Sequence, residues 1–482
     1  MSKNCCAKSV PPADGRHEAF GRTVAVWQER LQAGLSRIIQ ASDQNLGHLE
    51  EEILQQTRAV ERAALESAAQ KKADQAPPVC PVCGAKLSRV TQGHERRYQT
   101  RFGVGLLRRA RGWCRRCQCW RFPADHALGL ADTARCSPGV QEMAALVVSK
   151  LPVGEASAVL ERLSGVKLSR STLDREARRQ GRRAEQKRQE MDQQMSQGAG
   201  QEQRVPELRL ATPPEPFTLV IELDAWNIRE RNDAEWGQTE AMRQQGQEPQ
   251  WWHWVYGGTC FRLSQRVQTS GGRSLILSRG TVMTRGGIEA LREQLWAEAM
   301  RHGLGQARDV LIIADGAVWI WKLAADRFAG ARQRLDPWHV LQHLWAVAHA
   351  LHPEDEAAAA AWIKPLKDKL LNNQALEIME DLDGLLKKLR GARRKVVAAE
   401  RAYLENNRAR LDYAGSRERG EPNGSGAMES TCKQYQGRFH RSGQFWTTAG
   451  DEALMCLETF WRNARWSLLF PHVPSHFDPA KN

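Results

Sequence analysis

The chain has no run approaching the roughly 18–20 consecutive apolar residues of a membrane-spanning helix, so a helical membrane protein is excluded and no membrane partner is expected. Its opening residues, MSKNCCAKSVPPADGRHEAF, lack an apolar stretch followed by a small-residue cleavage site; no secretory signal is read, and a cytoplasmic location is expected. An even cysteine count is missing too. Eleven thiols cannot all pair, which excludes a fully bridged secreted scaffold. Acids are the scarcer charge: 56 against 70 lysines and arginines, a formal +14, which points to a polyanionic partner.

A length of 482 residues suggests about three domains. The positive charge is concentrated. His94 to Arg121 holds nine arginines and one acid, and Lys167 to Arg188 holds nine basic residues against three acids. Residues 1–75 read as a helical arm, with one or two amphipathic helices from residue 17 onward and a linker at 73–79.

Residues 76–136 contain two CxxC pairs, Cys80-Pro-Val-Cys83 and Cys114-Arg-Arg-Cys117, separated by thirty residues. Two thiolate pairs flanking a hairpin resemble a zinc ribbon: four thiolates complete one tetrahedral Zn²⁺ site, and the metal supplies folding energy a small core lacks. Cys119 is a possible ligand swap, whereas His94 and His126 stand outside the pattern.

Residues 137–188 predict three helices: the first is followed by a turn at Pro152–Gly154, the second ends near Gly165, and the third opens at Ser169 or Ser171. A helix–turn–helix of this kind puts the third helix in the DNA major groove. Arg170, Thr172 and Arg175 would then face base edges, while Arg178, Arg179, Arg182 and Arg183 track phosphates. The plainer alternative is a three-helix packing unit with a solvated basic face. The polar stretch 189–216 reads as a linker.

From Phe217 the pattern changes. FTLVIELDAWNIRER alternates Leu219, Ile221 and Leu223 with Val220, Glu222 and Asp224. WVYGGTCFRLS (254–264) and SLILSRGTVM (274–283) read as two more strands, residues 288–303 as a helix, and VLIIAD as a fourth strand ending at Asp315. The order βββαβ predicts an α/β, ribonuclease-H-like core over residues 217–470, with an all-helical insertion at about 352–411 and a tail at 471–482. Such a core brings Asp224 and Asp315 to one sheet edge, where two carboxylates repel unless a cation intervenes. Mg²⁺ or Mn²⁺ suits carboxylate oxygens, and a pair of ions can serve phosphodiester chemistry. A third acid is expected from NGSGAMESTCK: Asn423–Gly426 turns, Ser425 caps, Glu429 falls in the first helical turn, and Lys433 follows on the same face, able to reach a phosphate. Glu418 and Glu421 are rivals that read as solvent-exposed, and Glu222 is the rival to Asp224. Trp251, Trp252, Trp254, Trp319 and Trp321 read mainly as core, with base stacking the lesser alternative.

These motifs resemble bacterial insertion-sequence transposases of the Kra type, relatives of the Mutator-like elements. The resemblance rests on Asn407-Arg408-Ala409-Arg410-Leu411-Asp412-Tyr413, Gly424-Ser425-Gly426-Ala427-Met428-Glu429-Ser430, Cys432-Lys433 and Trp446. It also takes in DGAVWIW followed by Leu335-Asp336-Pro337-Trp338-His339, and it covers roughly residues 75–470. Asn423 stands where an apolar residue is common, and Met428 where valine is usual. The resemblance implies Asp224, Asp315 and Glu429 as a DDE triad holding two divalent ions, with Asp336 and His339 supporting it. From the residues alone, His339 reads more readily as a histidine orienting its loop than as a ligand. The expectation is a transposase that binds double-stranded element ends and target DNA, cuts and joins strands, associates with the nucleoid when bound, and works as a homodimer or larger assembly. A structure-selective nuclease on the same core and a catalytically silent repressor are the alternatives.

Overall fold

The computed structural model describes residues 13–40, 45–130, 134–197, 215–231, 251–272 and 274–474. Most of the 189–216 linker and the end of the tail lie outside the described residues. No helix among the described residues is long and apolar enough to cross a membrane. The chain divides into two compact units, residues 1–148 with 152–176, and 149–151 with 177–482.

The first unit opens with helices α1 (Ala13–Gln40) and α2 (Leu46–Gln75), and Asn45 caps α2 by accepting from the His48 N–H at 3.1 Å. A three-stranded antiparallel sheet follows, in the order β1 (Ser88–Thr100), β2 (Gly103–Cys114), β3 (Cys119–Arg121). Because β3 pairs only with Gly112–Cys114, the rest of that edge of β2 lacks a strand. Side chains of α2 replace it. Gln70 donates to the Arg108 carbonyl at 2.7 Å and accepts from its N–H at 3.0 Å, and Glu66 accepts from the Leu106 N–H at 3.0 Å. Ala69, Ala73, Tyr98, Leu107, Ala124 and Leu130 close a small core beneath.

Helices α3 (Pro123–Ala127), α4 (Pro138–Lys150), α5 (Val153–Ser164) and α6 (Arg170–Gln197) come next. The third of the predicted trio is much longer than expected: α6 continues to Gln197, nine residues into the stretch read as linker, and its portion from Ala177 onward belongs to the second unit.

The second unit is mixed α/β. Its five-stranded mixed sheet has the order β10 (Arg332–Leu335), β9 (Asp309–Ala314), β4 (Thr218–Arg229), β5 (Trp252–Arg262), β8 (Gly280–Thr284). β4, β5 and β8 run antiparallel, whereas β9 and β10 are parallel to β4. The predicted single strand at 274–283 is two. β7 (Ser274–Ile276) pairs with β6 (Arg266–Gln268) in a separate hairpin, and only Gly280–Thr284 joins the main sheet. The alternation along β4 holds: Leu219, Ile221 and Leu223 enter the large core, while Val220 packs with Phe261, Leu311 and Ile313 on the opposite face.

Helices α7 (Gly287–Arg301) and α8 (Val318–Arg327) carry the chain between strands. After β10 comes a helical stretch, α9 (Pro337–Leu351), α10 (Glu356–Leu371), α11 (Ala375–Lys388) and α12 (Gly391–Asn407). The short α13 (Tyr413–Glu418) then leads to α14 (Gly426–Phe439), α15 (Thr448–Arg462) and α16 (Trp466–Leu469).

Candidate functional sites

In the first unit the four sequence-predicted cysteines come together. Cys80 and Cys83 lie on the turn before β1, Cys114 ends β2, and Cys117 sits in the turn before β3. Their sulfurs all lie within 4.8 Å of one another, with Cys80–Cys117 at 3.9 Å and Cys83–Cys114 at 3.5 Å. Tetrahedral Zn–S bonds of about 2.3 Å put sulfurs about 3.8 Å apart, so the cluster is pre-formed for an ion such as zinc. All four thiols are free, as is Cys119, which stays outside the cluster.

On α6, Ser169 accepts from the Thr172 N–H at 3.3 Å, and Arg170 and Arg175 are exposed, with Arg175 donating to the Thr172 hydroxyl at 3.4 Å. Farther along, the arginines assigned to phosphates divide. Arg178 donates to the Thr447 hydroxyl at 3.2 Å, and Arg183, though exposed, lies 5.8 Å from the Phe470 ring, where partial burial lowers its pKa. Arg179 is half-buried and Arg182 exposed.

In the second unit the acids gather around β4, β9 and the start of α14. Asp224 is half-buried on β4, and its Oδ1 accepts from the Ala225 N–H at 2.7 Å. Burial, reinforced by the charge of Asp315, holds its pKa above the usual carboxylate value. Asp315 follows the last residue of β9 and accepts from the Ala317 N–H at 2.9 Å; the Tyr403 hydroxyl of α12 donates to its backbone carbonyl at 3.1 Å. Glu429 is half-buried in the first turn of α14, with Lys433 Nζ 3.7 Å from Oε2. Three residues on, the Cys432 thiol is buried; burial and the charges of Asp224 and Glu429 raise its pKa. Residues three apart share a helix face, so Glu429 stands one turn from the thiol that Asp224 also influences. Asp224 and Asp315 are thus electrostatic neighbours, and Asp224 and Glu429 both act on the Cys432 thiol, although among the described residues only the four cysteines form a closed metal-competent group.

Two further carboxylates hold this arrangement. Glu222, two residues before Asp224 on the same face of β4, is fully buried and accepts from the Met428 N–H of α14 at 2.8 Å. Burial lifts its pKa to about 8. Asp336 is 0% exposed and accepts from the Trp338 N–H, the Ser425 N–H and the Ser425 hydroxyl, each at 2.7 Å. Burial opposes its ionisation, but these donors and His339 hold its pKa below the ordinary value. Ser425 was expected to cap α14 with its hydroxyl. Instead that hydroxyl donates to Asp336, and the orphan N–H of Met428 is met by Glu222. Gly424 fits the same clamp, since a Cβ there would lie 2.9 Å from Asp336 Oδ2. His339 Nδ1 lies 3.9 Å from Asp336 Oδ1, a charge contact rather than a hydrogen bond; Asp336, then Asp315 and Asp224, raise the imidazole pKa.

Several sequence readings are corrected or refined here. Glu421 is not exposed: its carboxylate, 1% accessible, is ion-paired with Arg332, Arg334 and Arg419, and those arginines overcome burial to lower its pKa to about 2. Glu418 is exposed as read. Tyr403 was missed, and so was Cys432 as a neighbour of Asp224; neither had a spacing that signalled a role. The Asn407–Tyr413 motif anchors the frame, with Arg410 donating to Gln333 at 2.8 Å and the Tyr413 hydroxyl to the Leu335 carbonyl at 2.9 Å. Among the tryptophans, Trp321 is core and Trp319 packs edge-on to Tyr256, whereas Trp252 and Trp254 are 47% and 51% exposed.

No protein-family profile matches the sequence, and no curated protein is detectably similar to it.

Proposed function

We propose that this protein is a transposase that binds double-stranded element ends, cuts a phosphodiester at each, and joins the freed 3′-OH to target DNA. The observation that carries the reading is the approach of Asp224 and Asp315 from the neighbouring parallel strands β4 and β9, with Glu429 and Asp224 both acting electrostatically on the Cys432 thiol one helical turn from Glu429. The strand order β10-β9-β4-β5-β8, with its antiparallel half and its parallel half, supports a ribonuclease-H-like core.

Asp224, Asp315 and Glu429 are the residues that would hold Mg²⁺ or Mn²⁺. The fit is chemical: the donors are hard carboxylate oxygens, and ionisation of Asp224 is opposed by burial and by the charge of Asp315, a repulsion that a cation relieves. When bound, paired ions activate an attacking oxygen and stabilise the departing one. The chain's own residues do the rest. Asp336 and Glu222 fix the helix carrying Glu429, Lys433 is an exposed cation available to a phosphate, and the His339 imidazole, its pKa raised by Asp336 and the acids, stands beside Asp336. Water and then the 3′-OH attack directly, so no side-chain nucleophile is required. Synapsis of two ends calls for a homodimer or larger assembly.

The test is incubation of labelled element-end DNA with Mg²⁺, scored for cut and joined strands. Wild-type protein should give both, and Asp315→Asn should abolish both while leaving end binding intact. Cutting without joining would replace the reading with a nuclease, and binding alone with a repressor. Loss of binding in Asp315→Asn would remove the role given to that acid.

A further inference from the structure

Helices α9 and α10 enclose a groove of ≈ 410 Å³, within the roughly 300–1,000 Å³ range of ligand clefts. Its floor is Leu341 and Ile363, both buried; its walls are Trp338 and Trp345; Lys364 and Lys367 stand at its rim. Trp338 and Trp345 lie seven residues apart, two turns along one face of α9. Trp338 is 59% exposed although it sits in the first turn of a helix whose neighbouring residues are buried, so it contributes little to the core. Trp338 links the groove to the proposed site along the chain: its N–H donates to Asp336, and His339 follows it in sequence.

We infer that this groove takes an unpaired nucleobase of a DNA strand, stacked on Trp338 and Trp345, with Lys364 and Lys367 on the flanking phosphates. Aromatic walls suit any base, because every base offers a π face, and a rim with two cations suits the backbone that carries it. Lys367 Nζ already lies 5.3 Å from the Trp338 ring centroid. An entering base takes over that ring face, and the flexible lysine turns to the phosphate. A second protein chain is the weaker occupant for a groove of this volume with a cationic rim. The inference rests on the transposase reading for its biological setting, because strand cutting frees the end whose bases would be unpaired. It does not rest on that reading for its test.

The test uses full-length protein, a short fluorescein-labelled oligothymidylate and no added divalent ion, read by fluorescence anisotropy. Trp338→Ala and Trp345→Ala should each weaken binding about tenfold or more, and Trp338→Phe should restore it to within about threefold. Lys364→Ala and Lys367→Ala should each make the salt dependence shallower by about 0.7 in the log–log slope. Circular dichroism should show all variants folded, as expected for a half-exposed tryptophan. The inference is overturned if both tryptophan variants bind as wild type does, or if wild type does not bind the oligonucleotide. It is overturned as well if the variants change sedimentation but not binding, which would make the occupant a second copy. No cleavage enters the measurement, so a failed cleavage assay refutes the transposase reading and leaves this result standing.

Discussion

Asp336→Asn tests whether this residue acts as a positioning carboxylate or as a metal ligand. In the wild type both carboxylate oxygens are acceptors: Oδ1 faces the Trp338 N–H, and Oδ2 faces the Ser425 N–H and hydroxyl, all at 2.7 Å. An amide of the same shape keeps one acceptor and turns an NH₂ toward a donor. If its oxygen faces Ser425, the start of α9 loses its cap; if it faces Trp338, the turn before α14 loses its clamp. Bonds to a charged acceptor are worth about 1.5–3 kcal/mol each, so losing one side should cost about 2 kcal/mol locally. That corresponds to about a thirtyfold loss of hydrogen-exchange protection at residues 425–431, and hydrogen exchange is the right assay because two compact units make a single global unfolding energy ill-defined. Loosening the helix that carries Glu429 should lower strand cutting by about a hundredfold or more. Mn²⁺ affinity at Asp224 and Asp315 should fall much less than in Asp315→Asn. Unchanged exchange protection with abolished Mn²⁺ binding would refute the reasoning and make Asp336 a ligand.

Glu222→Gln should separate the two acids of β4. Because burial raises the folded pKa of Glu222 to about 8, its contribution to stability is complete below the unfolded value near 4.5 and is lost as pH rises through about 8. Wild-type stability should therefore decline over that window by up to about 1.4 kcal/mol per pH unit, and the glutamine variant should flatten the profile while keeping activity; an inactive, equally pH-sensitive variant would contradict this. Purified protein should carry one zinc per chain, and a strong chelator or Cys83→Ser should unfold the β1–β2 hairpin by circular dichroism; a metal-free hairpin that stays folded would remove the structural role. Gly181→Ala adds a Cβ 2.6 Å from the Ala453 carbonyl oxygen and Cβ, so α6 and α15 must part. It should lower hydrogen-exchange protection along α6 and α15 by about fivefold or more despite alanine's better helix propensity, and a better-protected variant would show that this contact yields freely.

The elements that sequence reading placed well carry their signals locally. The aliphatic run 310–314 makes β9, the alternation from Leu219 to Leu223 makes β4, and the Gly-Ser-Gly turn starts α14. Misreadings came where a partner lies far away in sequence. The run 274–283 has one hydrophobic pattern but two pairing partners, β6 and β5, and no pattern along a single strand reports a change of partner. Glu421 sits among Arg419, Gly420 and Pro422, polar or turn-forming residues that suggest solvent, but Arg332 and Arg334 on β10 reach it from 87–89 residues earlier.

The candidate site shows the same limit in its sharpest form. Glu222 and Asp224 are both carboxylates, two positions apart, on one face of one strand, and about 6.6 Å of extended backbone separates them. Nothing along the strand distinguishes a ligand from a cap. What distinguishes them is α14, whose first N–H groups arrive 206 residues later and bury Glu222, leaving Asp224 half-exposed beside Asp315. The two assignments are therefore coupled. Because β4 presents Asp224 and anchors the helix bearing Glu429 through the same face, a shift of register by one residue would turn both carboxylates to the opposite side of the sheet. It would separate the acids and release the helix in one step. That dependence accounts for a buried acid with a raised pKa beside the proposed chemistry: Glu222 serves the fold, and the neighbouring carboxylates are left to the proposed metal.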